Sequence, residues 1–161
     1  MNTVAIVAHY NEESVFSQAF LDIINVIGRN VNEIVIISTS KFERLPPQLN
    51  SNNIHVYYRP NFGYDFYSYK LGLELLGLKN LHNFGVLLLN SSFSISDPNK
   101  FEKAISRALG KSGNQVIGLT LSNQIARHLQ SFFLFSPKGH SRTKLCGNFL
   151  ALYHHKVQSL K

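Results

Sequence analysis

Residues 54–76 read IHVYYRPNFGYDFYSYKLGLELL, and the pattern changes period partway through. Ile54 to Tyr58 are β-branched and aromatic, as in a strand, whereas Phe66, Tyr69, Leu73 and Leu76 recur at helical spacing. Between them lie a proline, a glycine and polar groups, so the segment predicts strand, loop, helix. In open α/β sheets such a loop sits at the carboxyl ends of the strands, and the helix that follows presents unpaired N–H groups and a partial positive charge. Phosphate suits that geometry.

Toward the N-terminus, Thr3 to Ala8 is almost wholly apolar, the mark of a strand buried on both faces of a parallel sheet. It runs into His9-Tyr10-Asn11. Asn11 is expected to cap a helix with Glu12 and Glu13 in its first turn, an apolar stripe through Val15, Phe16, Ala19, Phe20, Ile23, Ile24 and Ile27, and Gly28 at its end. Glu33 to Ser38 is a second apolar run, ending in Ser38-Thr39-Ser40, and residues 45–53 are rich in turn formers. Toward the C-terminus, Gly85 to Leu89 predicts a buried strand that breaks into Asn90-Ser91-Ser92. Asp97-Pro98 starts a helix with stripe Phe101, Ala104, Ile105, Ala108 and Leu109, closed by Gly110. Val116 to Leu121 and Ser131 to Phe135 are further strands, and one short helix is expected in the last 20 residues. This alternation predicts an α/β fold, a mostly parallel sheet covered by helices, in a single compact domain over residues 1–161. The polar strand tips, His9 to Asn11, Ser38 to Ser40, Asn61 to Asp65, Asn90 to Ser92 and the stretch Asn123 to Gln130, should then converge on one edge.

The 161-residue chain is 44% hydrophobic and 16% charged, which argues against disorder. No apolar run approaches the roughly 20 residues of a spanning helix. The N-terminus lacks a basic, then apolar leader pattern and reads as a strand, and the one cysteine, Cys146, fits a reducing cytoplasm. Net charge is +7, unevenly placed: residues 1–102 hold seven Lys/Arg and nine Asp/Glu, whereas residues 103–161 hold nine Lys/Arg and no acid. A one-sign field of this kind attracts nucleotide diphosphates, anionic headgroups or nucleic acid alike. A nucleic-acid-binding module would rest on that charge alone and is not expected. No Gly-x-Gly-x-x-Gly, Walker loop or Ser-His-Asp order is present, which disfavours dehydrogenases, NTPases and hydrolases.

Four pieces carry a resemblance: Val7-Ala8-His9-Tyr10; Arg59-x-Asn61-x-Gly63-Tyr64-Asp65-Phe66 followed by Lys70-x-Gly72-Leu73; Leu87-Leu88-Leu89-Asn90-x-Ser92; and Gly118-Leu119-Thr120 with His128 to Leu134. In this order they resemble the rhamnan synthesis F family of bacterial glycosyltransferases, across nearly the whole chain. The resemblance implies a GT-A type, Rossmann-like domain, minimal or cut short at its C-terminal end. It implies transfer of a sugar, often rhamnose, from a nucleotide diphosphate donor (dTDP-, UDP- or GDP-linked) onto a surface polysaccharide or lipopolysaccharide, with a glycan or lipid-linked acceptor. A cytoplasmic location is expected, with peripheral contact of the basic C-terminal third at the inner membrane leaflet.

A departing nucleotide diphosphate develops negative charge, so Arg59, Lys70 and the amides around Gly63 are the candidate stabilisers. Asp65 is the acid of the loop, a candidate for a ribose hydroxyl, a metal or the acceptor, or a plain helix cap. His128 and Asp65 are the candidate general bases. Donor-binding candidates are His9, Tyr10, Ser38, Thr39, Arg59, Asn61, Gly63, Asp65, Lys70, Asn90, Ser92 and Gln130. Relatives of the family place an Asp-containing motif where this chain has Asn90-Ser91-Ser92, and neutral oxygens alone are poor ligands for magnesium or manganese. No metal site is assigned, and dependence on a divalent ion stays open. The alternative reading is a catalytically silent nucleotide-sugar or glycan-binding domain.

Overall fold

The computed structural model describes residues 2–77, 84–92, 95–109, 115–117 and 134–136, with 84, 115–117 and 134–136 described by their backbone. Strand β1 (Asn2–His9) is central, flanked in parallel by β2 (Glu33–Ser38) and β4 (Phe84–Asn90), with β3 (Ile54–Tyr58) parallel outside β2. Two three-residue strands, β5 (Gln115–Ile117) and β6 (Leu134–Ser136), complete the order β3-β2-β1-β4-β6-β5, β6 lying antiparallel to both its neighbours. The mostly parallel α/β sheet expected from the alternation is therefore present. The expected continuations through 118–121 and 131–133, Gly110, the basic tail beyond Ser136 and Cys146 lie outside the described residues.

Alternation along each strand divides two apolar layers. Ala5, Val7, Ile34, Ile36, Leu87 and Leu89 face one side, where helices α1 (Gln18–Gly28) and α3 (Pro98–Leu109) cover them through Phe20, Ile24, Ile27, Phe101 and Ile105. Val4, Ile6, Ala8, Val35, Ile37, Val86 and Leu88 face the other, against Tyr69 and Leu73 of α2 (Tyr64–Leu75). Burial on both faces is why these strands read as continuous apolar runs. Helix α2 can lie this close because Gly72 has no side chain: a Cβ there would meet Ile6 Cγ2 at 2.4 Å.

Three local expectations change. Helix α1 begins at Gln18, capped by Ser17, whose hydroxyl accepts from Phe20 N at 3.2 Å. Asn11 instead closes a turn, its Oδ1 accepting from Glu13 N and Val15 N, so Glu12 and Glu13 lie outside the helix. Sequence cannot tell these two uses of an Asn side chain apart, because each satisfies backbone N–H groups two to four residues on. On α2, Phe66 is exposed, and Ser68 and Gly72 occupy the inner face with Tyr69 and Leu73. The turn-rich stretch after β2 also holds a short 3-10 turn, Pro47–Leu49, that buries Leu49. Asp97 does cap α3, its Oδ1 accepting from Lys100 N at 3.0 Å.

Candidate functional site

The four parallel strands end at one edge, and their loops are tied to one another there. Backbone bonds continue past the strands, from Thr39 N to His9 O (3.0 Å), Arg59 N to Ser38 O (2.9 Å) and Ser91 N to Ala8 O (2.9 Å). The Ser91 hydroxyl accepts from Tyr10 N (3.0 Å) and donates to Tyr10 O (3.1 Å); the Ser40 hydroxyl does the same with Asn11 N (2.9 Å) and Asn11 O (2.8 Å). The order 3-2-1-4 reverses between β1 and β4, so the crevice that open α/β sheets use for ligands lies between Tyr10 and Asn90.

The loop from β3 to α2 is shaped by Arg59, which is 4% exposed. Its Nε donates to Ser68 Oγ (2.9 Å), Nη1 to the carbonyls of Pro60 (2.8 Å) and Phe62, and Nη2 to the carbonyl of Tyr64 (2.6 Å). The guanidinium also lies over the rings of Phe62 and Tyr67, at 5.9 and 5.3 Å. A planar fork of donors aimed at three carbonyls fixes the path of the chain through a left-handed pair, Gly63 (φ 74°) and Tyr64 (φ 51°). At Gly63 this conformation suits glycine, and a Cβ would also stand 2.8 Å from Tyr67 Cβ. At Tyr64 it is strained.

That geometry starts α2 so that Asp65, in its first turn, reaches across to the tip of β4: Asn90 Nδ2 donates to Asp65 Oδ2 at 2.8 Å. One turn on, Tyr69 is buried beneath. Burial first, and the Asp65 charge second, push its hydroxyl above the ordinary phenol value, so it stays protonated. The strand that lacks a carboxylate of its own thus receives one from the neighbouring helix. The cluster can accept a ligand hydroxyl at Asp65 or take a proton from it.

Several candidates turn out to build the edge from inside. His9 is buried among Phe16, Phe20 and Phe42, with ring centroids 4.6, 4.6 and 5.5 Å away, and burial lowers its pKa to about 4. Its Nδ1 lies 3.1 Å from Ser38 Oγ, and that buried hydroxyl also donates to Ser40 O and accepts from Ser40 N. His9 and Ser38 therefore face the α1 layer and not the crevice. Thr39 Oγ1 donates to His9 O at 3.4 Å. Arg59 is engaged by the loop carbonyls. Lys70, a turn and a half along α2, lies 3.6 Å from Glu74 and over the Tyr67 ring at 5.9 Å. Tyr10, Asp65 and Asn90 are brought to the crevice, with Asn61, Gly63 and Ser92 exposed on its flanking loops. His128 and Gln130 lie outside the described residues.

Tyr69 escaped the sequence reading as a polar participant, although the Asp65 to Tyr69 spacing of four residues placed both on one helix face; Ser40 and Ser91 read as polar strand tips but not among the donor-binding candidates. Lys41, exposed in the loop after β2 and 5.2 Å over the ring of Tyr58, escaped that reading too. Among the described residues no three His, Cys, Asp or Glu side chains cluster as a metal site would require. Among the described residues Asp65 is the acid at the tip of β4, and one carboxylate would hold a magnesium ion there only with water and substrate phosphates as its other ligands. A pocket of ≈ 290 Å³, lined by Asn2, Thr3, Asn32, Glu33, Asn52, Asn53 and His55, lies at the opposite edge, away from this chemistry.

No protein-family model matches the chain, and no curated protein matches it in sequence. Among solved structures, a 4-diphosphocytidyl-2C-methyl-D-erythritol synthase is similar in fold, with a TM-score of 0.54 at 11% identity, over 84% of this chain and 75% of that one. The likeness establishes a Rossmann-like α/β domain. No described helix is long and apolar enough to cross a membrane.

Proposed function

We propose that the domain is a nucleotide-sugar-dependent glycosyltransferase acting on a bacterial surface polysaccharide or lipopolysaccharide, with Asp65 as the base. The observation that carries the reading is the Asp65–Asn90 bond at the switch point, which sets a carboxylate beside the crevice where α/β sheets bind nucleotides. In the reaction the acceptor hydroxyl oxygen bonds to the anomeric carbon, the bond from that carbon to the diphosphate breaks with its electron pair leaving on phosphate, and Asp65 takes the hydroxyl proton. Lys41 and the basic residues of the C-terminal third are the proposed source of positive charge for the departing diphosphate, and no step is routed through a metal. The motif resemblance supports the same class, and the structural neighbour is named for a product in which a diphosphate joins cytidine to a sugar-like alcohol. A glycan or lipid-linked acceptor, a cytoplasmic site of action and contact with the inner leaflet through the basic tail belong to this proposal.

A silent donor-binding or glycan-binding domain is the second reading, favoured by the missing carboxylate on β4 itself and by the engagement of Arg59 within its loop. Transfer and hydrolysis assays on dTDP-rhamnose, UDP-sugars and GDP-sugars separate the two. The transferase reading expects turnover of one donor that falls by about 10²-fold or more in Asp65→Asn, the scale of a lost general base. Binding with no turnover of any donor supports the silent domain.

A further inference from the structure

Exposed rings in the described chain concentrate at the carboxyl edge: Tyr10, Tyr58, Phe62, Tyr64 and Phe66. Tyr64 is the extreme case, 87% exposed and held at φ 51°. An aromatic residue gains nothing from the left-handed region, and such strain persists only where the surroundings over-determine it. Here they do, because Arg59 grips the carbonyls on both sides of Gly63 and of Tyr64 itself. The fold therefore maintains, against local preference, a ring that the described chain leaves uncovered, next in sequence to the carboxylate of the crevice.

We propose that Tyr64 is a stacking residue for a neutral pyranose ring, a specificity determinant that acts beside Asp65. The chemistry selects a sugar over a phosphate. A pyranose has an apolar C–H face that lies on an aromatic ring and a rim of hydroxyls that bond to a carboxylate and an amide, the groups Asp65 and Asn90 present. A phosphate at this lip would meet the Asp65 charge, while the Arg59 guanidinium is engaged with the carbonyls of Pro60, Phe62 and Tyr64. Phe62, half exposed and packed on Tyr67 at 4.6 Å, is a second ring of the same loop. The inference rests on the transferase reading for the ligand's class, and its test does not require turnover.

Saturation-transfer NMR and calorimetric titrations would use methyl α-L-rhamnopyranoside, methyl α-D-mannopyranoside and methyl β-D-glucopyranoside, with dTMP and UMP as comparators. The proteins are wild type, Tyr64→Phe, Tyr64→Ala and Tyr64→Gly. At least one glycoside is expected to bind with a millimolar Kd and with saturation strongest on one ring face. Tyr64→Phe should stay within about threefold, and Tyr64→Ala should weaken binding about tenfold. Tyr64→Gly should lose binding equally yet raise Tm by about 2–4 °C, because glycine relieves the backbone strain. A Tm lowered in Tyr64→Gly would mean that the ring is packed within the protein, and would overturn the proposal. So would glycoside binding indifferent to Tyr64→Ala, no glycoside binding by wild type, or a Tyr64 dependence confined to the nucleotides. Donor turnover that survives Tyr64→Ala unchanged would leave the transferase standing and remove this inference alone.

Discussion

Two of the loops that lead from a strand into a helix at the carboxyl edge, those before α1 and α2, are built differently. Tyr10 to Ser17 is held by neutral bonds: an asparagine that closes a turn, the hydroxyls of Ser40 and Ser91 reaching in from neighbouring loops, and a serine cap. Arg59 to Gly63 is held by one buried cation that satisfies three carbonyls and a hydroxyl at once. The first arrangement distributes its stability over weak, separable contacts. The second concentrates it in one side chain, and through that side chain it can hold Tyr64 in a strained state and start α2 where Asp65 reaches Asn90. Both loops hold a non-glycine residue in the left-handed region, Ser14 (φ 53°) in the first and Tyr64 (φ 51°) in the second; in the second a buried side chain grips the strained residue's own carbonyl.

The comparison breaks most visibly at Arg59. Arg59→Ala should cost about 3–5 kcal/mol in urea unfolding, since it removes a buried side chain and leaves the buried Ser68 hydroxyl and three part-buried carbonyls without their donor. A cost near that of a surface substitution would mean that the loop does not depend on its cation. Gly72→Val tests the seating of α2 on β1 and should destabilise by a comparable few kcal/mol, because the new side chain meets Ile6 inside van der Waals contact.

Next in size is the pH response of the first loop. His9 is held neutral by burial, with a pKa of about 4 against an ordinary value of 6.5. The unfolded chain therefore binds the proton between those values and the folded one does not. Stability is full above pH 6.5 and falls as pH drops toward 4, by roughly 2–3 kcal/mol. His9→Phe should flatten that stretch of the pH–stability curve, and an unchanged slope would assign the effect elsewhere. Smallest is Ser17→Ala, expected to cost about 1 kcal/mol as the loss of a single cap. A value matching that of Arg59→Ala would erase the distinction between the loops.

Sequence pattern revealed the sheet because strands buried on both faces must be apolar throughout, as in Thr3 to Ala8 and Gly85 to Leu89. It revealed α3 because Asp97-Pro98 is a start signal with few other uses. The identity of the edge-forming loops followed from strand order alone. What stayed hidden was which polar group faces inward. His9 continues the parity of Ala5 and Val7, so its burial toward α1 was available in principle, but a polar tip reads as a ligand candidate first. Arg59 gave no sign of its role, because the acceptors that surround it are backbone carbonyls, which carry no residue signature. Asp65 was legible as the acid of the loop, whereas its partner Asn90 lies 25 residues away and meets it only through the fold.

The most direct measurement is calorimetric titration of dTDP-rhamnose, UDP-sugars and GDP-sugars into wild type and Asp65→Ala, with manganese and with chelator. The account predicts micromolar binding of one donor that survives chelation and weakens at least tenfold in Asp65→Ala. Absence of binding for every donor under both conditions would contradict it.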